Sequence, residues 1–594
     1  MSDEIKHECA VALVVLRKDS GYYRTKYGTS DYGGVKLSLL LEKQHNRGQD
    51  GAGVAIVAAN PEAGSAPYQI SKSASATPLA DVLSMLTKRE SAISRGEPGD
   101  HGEDVLRSLR SLRDEKIFLG HLRYATFGKN EEAFCHPFVH EASELAHTLL
   151  LAGNFNLTNA AELFDDYRHH GSFPTSKADG YLITELIAHE LQAGKGLDAA
   201  LSNALKDADG AWTLIGATAD GMAFATRDPH GIRPGWYYAN DEVVVVASER
   251  PAIQAAFDVP PESVKELPPG KVLLISACGD ISWTPLARDS QSTSTNTLAD
   301  TPATHNPQPA TCRPCVFERI YFSRANDADI HRERKALGAA LVPQILKAAD
   351  APMEDIFFSY IPNSARIAFH GLLEHLFDVH GKIRFGEVAV KDAKFRTFIA
   401  DAAARREFYK HVYDVTYGLV RPGCDTLVVL DDSIVRGNTM KNAILPMLDR
   451  LGPKRIVIAS SAPPIRYPDC YGIDMSTLGE LVAFRALVNL LGKDAKKGLS
   501  MAKTEAGPLS NPLASLYARF SDAEHCAEIA RLLTPPGMKA EVKVVYQTID
   551  ALHAACPGST GDWYFTGNYP TPGGYKVLHT ALENYLERKN ERSY

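Results

Sequence analysis

The sequence is short of cysteine, of long apolar runs and of basic excess. Nine cysteines are scattered through 594 residues, a sparse and odd-numbered set that argues against a disulfide-stapled scaffold. Cys312 and Cys315 make the one C-x-x-C, and a tetrahedral zinc site needs a second such pair. No stretch reaches the roughly 18 consecutive apolar residues of a membrane span, and residues 1–8 lack the apolar core of a secretory signal. A cytoplasmic protein without membrane contact is expected. The net charge is −8, whereas a bulk nucleic-acid binder usually carries a basic excess, so no nucleic-acid partner is expected. What is present is ordinary: 44% hydrophobic and 23% charged residues, which excludes a mainly disordered chain. At roughly 150 residues per domain the length suggests two to four domains.

Three segments punctuate the chain. Residues 60–77 are rich in Ala, Ser and Pro and read as a surface loop. Residues 88–116 alternate in charge and read as a solvated helical insertion. Residues 289–314 hold almost no large apolar side chain and read as a linker. Before the linker, short apolar runs at 10–16, 53–57, 213–215, 242–247 and 271–275 predict strands, with helices at 181–192 and 197–208. That pattern suggests an α+β domain. After it, strands at 356–360, 426–430 and 455–459 alternate with helices at 366–376 and 439–451. This βαβ rhythm predicts a parallel sheet with both faces covered.

The sharpest local signal follows one of those strands. Val428-Val429-Leu430 ends in Asp431-Asp432, and Ser433-Ile434-Val435-Arg436-Gly437-Asn438-Thr439 leads into a helix. Ligands of open α/β sheets bind outside the carboxyl ends of strands. Loop amides and a helix N-terminus offer donors to a phosphate, Gly437 lets the backbone approach it, and the hydroxyls of Ser433 and Thr439 add to them. The carboxylate pair suits ribose hydroxyls or a magnesium ion held through water. An Asp-Asp turn capping a helix accounts for the pair but not for the Arg-Gly-x-Thr after it.

This string resembles the phosphoribosyl diphosphate (PRPP) loop of type I phosphoribosyltransferases, and its wording resembles that of the amidophosphoribosyltransferase family. The resemblance implies that Ser433, Ile434, Val435, Arg436, Gly437, Asn438 and Thr439 hold the 5-phosphate of PRPP. It implies that Asp431 and Asp432 hold the ribose or Mg2+. Pro362-Asn363-Ser364 matches the family's Pro-x-(Thr/Ser) and makes Ser364 a metal-side contact. Lys391 and Arg396-Thr397-Phe398-Ile399 resemble a pyrophosphate-contacting stretch.

The first half carries a separate constellation: Cys9, then Gln44 to Gly53 with Arg47, Gly120 to Gly128 with Arg123, Gly153-Asn154-Phe155, Ala178-Asp179 and Arg227 to Pro234. Singly, each is turn chemistry. Together, in this order, they resemble a class II glutamine amidotransferase domain with the N-terminal-nucleophile αββα sandwich. The resemblance implies that Cys9 is the nucleophile and Arg47 a neighbour of it. By the same resemblance, Asn154 and the amide of Phe155 would form the oxyanion hole, and Arg123 and Asp179 would bind the carboxylate and ammonium of glutamine. A thiolate divides amide hydrolysis into two easier steps. As the first residue, Cys9 would have its own α-amine, of pKa roughly 7.7 to 8.0, as base. Residues 1–8 would then be a propeptide.

The resulting division is residues 1–8 propeptide, 9–288 amidotransferase, 289–314 linker, 315–480 an α/β type I phosphoribosyltransferase domain with a parallel sheet, and 481–594 an extension completing it. Two positions depart from the family: Ala10 stands where Gly is usual, and Phe155 where Gly with positive φ is usual. An iron–sulfur cluster is not expected, because two of the four positions that hold cysteine in some members are Gly561 and Tyr564, beside Cys315 and Cys470. The resemblance further implies a homo-oligomer and feedback inhibition by purine nucleotides. Two rivals stand beside it. One is an amidotransferase with another acceptor, which the PRPP loop opposes. The other is a regulatory protein that binds PRPP without turnover, which the Cys9 set opposes.

Overall fold

A computed structural model describes residues 8–59, 61, 66–84, 86, 115–124, 131–169, 173–286, 312–391, 413–589, 591 and 593. They fall into two compact units. One comprises residues of 6–314 with 470–473, the other residues of 315–469 with 474–594. The insertion expected at 88–116 and the linker at 289–314 lie almost wholly outside the described residues, as do Arg396 to Ile399.

The strands of the first unit are β1 (Ala10–Leu16), β2 (Gly51–Ala58), β3 (Tyr68–Ser73), β4 (Glu115–Arg123), β5 (Phe138–His140), β6 (Leu149–Leu157) and β7 (Gly210–Thr218). They continue with β8 (Ala223–Arg227), β9 (Trp236–Ala239), β10 (Val243–Ala247), β11 (Lys265–Glu266), β12 (Lys271–Ile275) and β13 (Ile281–Pro285). They build two antiparallel sheets, in the orders β11-β9-β10-β1-β4-β2-β3 and β13-β12-β8-β7-β6-β5. Alternation along each strand explains the layering. On β1, Val11, Leu13 and Val15 face the second sheet, meeting Leu150, Ala152 and Ile215. Ala12 and Val14 face outward onto Leu37, Leu40 and Leu41 of the helix Tyr32–Lys43. The outer face of the second sheet packs on the helices Asp179–Gln192 and Leu197–Leu205. Helix, sheet, sheet and helix follow one another, which is the αββα sandwich.

The second unit holds β14 (Ile356–Tyr360), β15 (Arg384–Phe385), a two-stranded ribbon of β16 (Ala389–Lys391) and β17 (Tyr413–Val415), then β18 (Thr426–Asp431), β19 (Arg455–Ser460) and β20 (Glu541–Tyr546). Its main sheet runs β15-β14-β18-β19-β20 with every neighbour parallel. Both faces are buried: Leu427 and Val429 of β18 on one side, Val428 and Leu430 on the other. Near-continuous apolar strands are the consequence.

Three segments differ from the sequence reading. Residues 68–73, taken as loop, form β3, an edge strand paired to β2; its half-polar composition resembles a loop until that partner is present. β20 was not expected within residues 481–594, although Glu541-Val-Lys-Val-Val-Tyr alternates as a strand does. The helix expected at 439–451 begins as a π turn, Met440–Ile444, before Leu445–Asp449. Among the described residues no helix is long and apolar enough to cross a membrane.

Candidate functional sites

In the first unit the chain enters β1 at Cys9. Ala10 pairs with Leu122 on β4, so Cys9 stands opposite Arg123. The Cys9 Sγ accepts the Tyr124 amide at 3.4 Å and lies 3.8 Å from the Tyr124 carbonyl. Burial pushes the thiol up to about 12, against the opposing field of Arg123. Arg123 is buried at the end of β4, its guanidinium 5.7 Å from the Phe134 ring. Arg47 is also buried. Its Nε donates to Glu249 at 2.8 Å and its Nη1 to Glu8 at 3.4 Å.

Glu8 is the residue that sequence reasoning missed. Its side chain is 1% exposed and its carboxylate lies among three donors. Arg47 and the Asn154 amide, at 3.5 Å, hold one oxygen; Arg233 pairs with the other. Arg233 itself is aimed by its loop. The Asp228 carboxylate accepts the amides of His230, Ile232 and Arg233, and Arg227 bonds the carbonyls of Gly231 and Arg233. The motif around Arg233 was visible in the sequence, but its partner 225 residues earlier was not.

Asn154 and Phe155 lie in β6, opposite Thr213 and Trp212 of β7. Phe155 keeps negative φ, so the positive φ associated with glycine there is not adopted. Asp179 opens the helix Asp179–Gln192 and is half-buried. Five of the six residues thus fall into two contacting sets: Cys9 beside Arg123, at the start of β1 and the end of β4, and Arg47 and Asn154 joined through Glu8, with Phe155 next to Asn154 within β6.

In the second unit, β18 delivers Asp431 and Asp432 to its carboxyl end. An open cleft of about 130 Å³ there is lined by Ser364, Asp431, Asp432, Ser433, Gly437 and Thr439, among others. Burial pushes the Asp432 carboxyl up, while hydrogen bonds from Ser364 and Ser433 pull it down. Its carbonyl accepts the Ala462 amide at 2.9 Å, which ties the turn to the end of β19. Gly437 has φ +77°, and a Cβ there would stand 2.2 Å from Leu533 Cδ2. We expect Gly437→Ala to cost at least about 1 kcal/mol from the backbone alone. It should weaken phosphate binding in the cleft while the chain still folds; unchanged binding would contradict a role for this turn.

Ile434 and Val435 also line the cleft, whereas Arg436 does not. Its Nε donates to Glu480 at 2.7 Å and its Nη2 to the Asp474 carbonyl at 3.1 Å, bracing the loop. Asn438 is half-buried beside it. Lys391, at the end of β16, stands opposite Tyr413 in the ribbon. Tyr413 and Tyr321 line the cleft, and neither was singled out as a site residue. Tyr321 reads as edge packing, and Tyr413 has no spacing that links it to Asp431.

Among the described residues no cluster of three or more His, Cys, Asp or Glu side chains suits a metal. Magnesium does not need one, since it keeps several waters and takes one or two carboxylates plus substrate phosphates. Asp431, Asp432 and Ser364 fit that requirement. A four-cysteine cluster does not fit. The Tyr564 hydroxyl lies 3.4 Å from Cys315 Sγ and accepts the Phe317 amide at 2.7 Å, and Gly561 bridges the Cys315 backbone.

The comparisons agree with this geometry. A glutamine amidotransferase domain family model matches residues 129–255. An amidophosphoribosyltransferase of Methanocaldococcus jannaschii is 29% identical over 382 residues, 64% of this chain and 76% of its own. That of Mus musculus is 28% identical over 432 residues, covering 66% and 74%. A solved structure of the glutamine PRPP amidotransferase from B. subtilis, complexed with ADP and GMP, superposes with a TM-score of 0.63 at 22% identity, covering 95% of this chain and 97% of that one. The chain is thus similar in sequence to amidophosphoribosyltransferases over about two thirds of its length, and its fold is that of a glutamine PRPP amidotransferase.

Proposed function

We propose that the chain transfers ammonia from glutamine to carbon 1 of PRPP, giving 5-phosphoribosylamine, glutamate and pyrophosphate, the first step of de novo purine synthesis. The observation that carries this reading is the pairing, in one chain, of the Cys9, Arg47 and Asn154 group with the Asp431–Thr439 turn at the end of a parallel strand. A PRPP sensor would have no use for the first, and an amidotransferase with another acceptor no use for the second.

The reaction divides between the units. Cys9 attacks the glutamine amide carbon, and its α-amine, once residues 1–8 are removed, takes the thiol proton and passes it to the leaving ammonia. The Asn154 side chain and the Phe155 N–H donate to the oxyanion. Arg123 holds the substrate carboxylate through its planar fork, and Asp179 receives the ammonium. Water then releases glutamate. With the octapeptide attached, Cys9 has no amine, its thiol is held up by burial, and the Glu8 carboxylate lies on Asn154 and Arg47. The unprocessed chain is blocked at base and oxyanion donor alike.

In the second unit, the Ser433–Thr439 turn cradles the 5-phosphate with its amides and hydroxyls, and Asp431 and Asp432 take the ribose hydroxyls or the metal's waters. By its resemblance to the family's motif, Lys391 is the candidate for contact with the pyrophosphate. Mg2+, held near Asp431, Asp432 and Ser364, would neutralise the leaving pyrophosphate. Ammonia bonds to carbon 1 as the bond to pyrophosphate oxygen breaks, and the attacking nitrogen then gives its extra proton to the departing pyrophosphate or to water. We further propose purine nucleotides as inhibitors, a homo-oligomeric assembly and a cytoplasmic location.

Product analysis tests the reading. With glutamine, PRPP and Mg2+, glutamate, pyrophosphate and 5-phosphoribosylamine should accumulate in equal amounts. Glutamate release with PRPP left intact would favour another acceptor. Peptide-resolved alkylation tests the blocked state. In the chain beginning at Met1, a pKa of about 12 in place of 9.0 leaves roughly a thousandfold less thiolate at pH 8. Cys9 labelling should therefore climb about tenfold per pH unit from pH 7 to 9.5 without levelling. A plateau above pH 9 would contradict the burial argument.

A further inference from the structure

The proposed reaction leaves two histidines of the first unit unused. His121 lies on β4 and is fully buried, and His136 lies two residues before β5. Their rings stack, with centroids 4.0 Å apart and planes 7° apart. Both bond the same residue. His121 Nε2 donates to the Gly153 carbonyl at 3.0 Å, and the Gly153 amide donates to His136 Nδ1 at 3.1 Å. These partners require a proton on Nε2 of His121 and a bare Nδ1 on His136. Burial pushes His121 down to about 3 and His136 well below its ordinary value, so both rings stay neutral.

Strand register explains why Gly153 is held by side chains. β5 meets β6 through Phe138 opposite Leu151, Val139 opposite Leu150 and His140 opposite Leu149. One further step of two residues would put residue 136 opposite Gly153, but β5 begins at Phe138. The two imidazoles supply the acceptor and the donor that a continuing strand would have given. Gly153 directly precedes Asn154. Alternate residues of a strand turn their N–H to the same edge, so the Phe155 N–H shares the edge at which Gly153 is pinned. The His136 ring also lies 5.6 Å from Phe155. A Cβ on Gly180, next to Asp179, would stand 2.3 Å from the Phe138 ring and 3.3 Å from His136 Cε1. The same ring group thus seats the start of the Asp179 helix.

We infer that His121 and His136 are positioning residues for the oxyanion hole: a stacked, neutral imidazole pair that replaces a missing strand at Gly153 and so fixes the Asn154 side chain and the Phe155 N–H. The inference rests on the glutaminase reading of the first unit.

The test uses the full chain with His136→Leu, which keeps bulk and removes the acceptor, and His136→Gln, which restores an acceptor oxygen. Glutamate release gives kcat and KM, and amide exchange is read over β6. His136→Leu should lower kcat about tenfold or more with KM within about twofold, and His136→Gln should recover to within about threefold of the parent. Exchange at Gly153–Phe155 should quicken in the Leu variant only. A parental kcat in His136→Leu, a change in KM alone, or a Gln variant no better than Leu overturns the inference. If the parent chain releases no glutamate, the glutaminase reading fails, and exchange decides the inference by itself: unchanged exchange in His136→Leu overturns it. If His136→Leu does not fold, His121→Phe carries the same test, since it keeps the stack and deletes the donor to Gly153.

Discussion

Replacing Cys9 by Ala is expected to lower glutamine-dependent formation of 5-phosphoribosylamine by about 10³-fold or more. Ammonium-dependent formation should stay within about twofold, because free ammonia needs no acyl-enzyme. The nucleophile is gone, and no other side chain beside Arg123 and Tyr124 replaces its sulfur. Stability should change little, since the side chain loses only two long sulfur contacts to the Tyr124 main chain. Equal loss with both nitrogen donors would mean that Cys9 supports the fold rather than the chemistry.

Asp432→Asn is expected to cost about 10²- to 10³-fold in pyrophosphate release with either donor. The side chain is 6% exposed and bonded by Ser364 and Ser433 in the wall of the cleft. An amide of the same shape keeps much of that bonding and removes the charge that would meet ribose or magnesium waters. Stability should move the other way. A carboxyl whose folded pKa is raised weakens the fold as pH rises from its ordinary 3.8 through the folded value. The neutral variant escapes that penalty, so its unfolding temperature at pH 7 should equal or exceed the parent's. Reduced activity with reduced stability would point to a collapsed turn instead.

The two sites were unequally legible. The Asp431–Thr439 turn is local: strand, carboxylates, glycine and helix follow within one stretch, so the sequence alone carries its geometry. Even there, Arg436 spends its side chain on Glu480, 44 residues later, which no local pattern reveals. The first site is assembled across strands. Cys9, Arg47, Arg123 and Asn154 were recognisable as motif residues, yet Glu8 reads as one acid among several until Arg47, Arg233 and Asn154 surround it. His121 and His136 read as core histidines until the end of β5 leaves Gly153 without a strand. The positive φ associated with position 155 is avoided because Phe155 stays in the regular β6–β7 ladder. In the fold, apolar strands such as β1, β12 and β14 were plain from their composition. β3 was not, since most of its residues are polar and only pairing with β2 defines it, and β20 was overlooked although its residues alternate.

The most direct test of the whole account is pyrophosphate release from PRPP with Mg2+, measured on one preparation with glutamine and then with ammonium as nitrogen donor. The account predicts release with both, the glutamine rate belonging to chains whose intact mass begins at Cys9. Release with neither donor, with PRPP still bound, would contradict it and leave a protein that senses PRPP without consuming it.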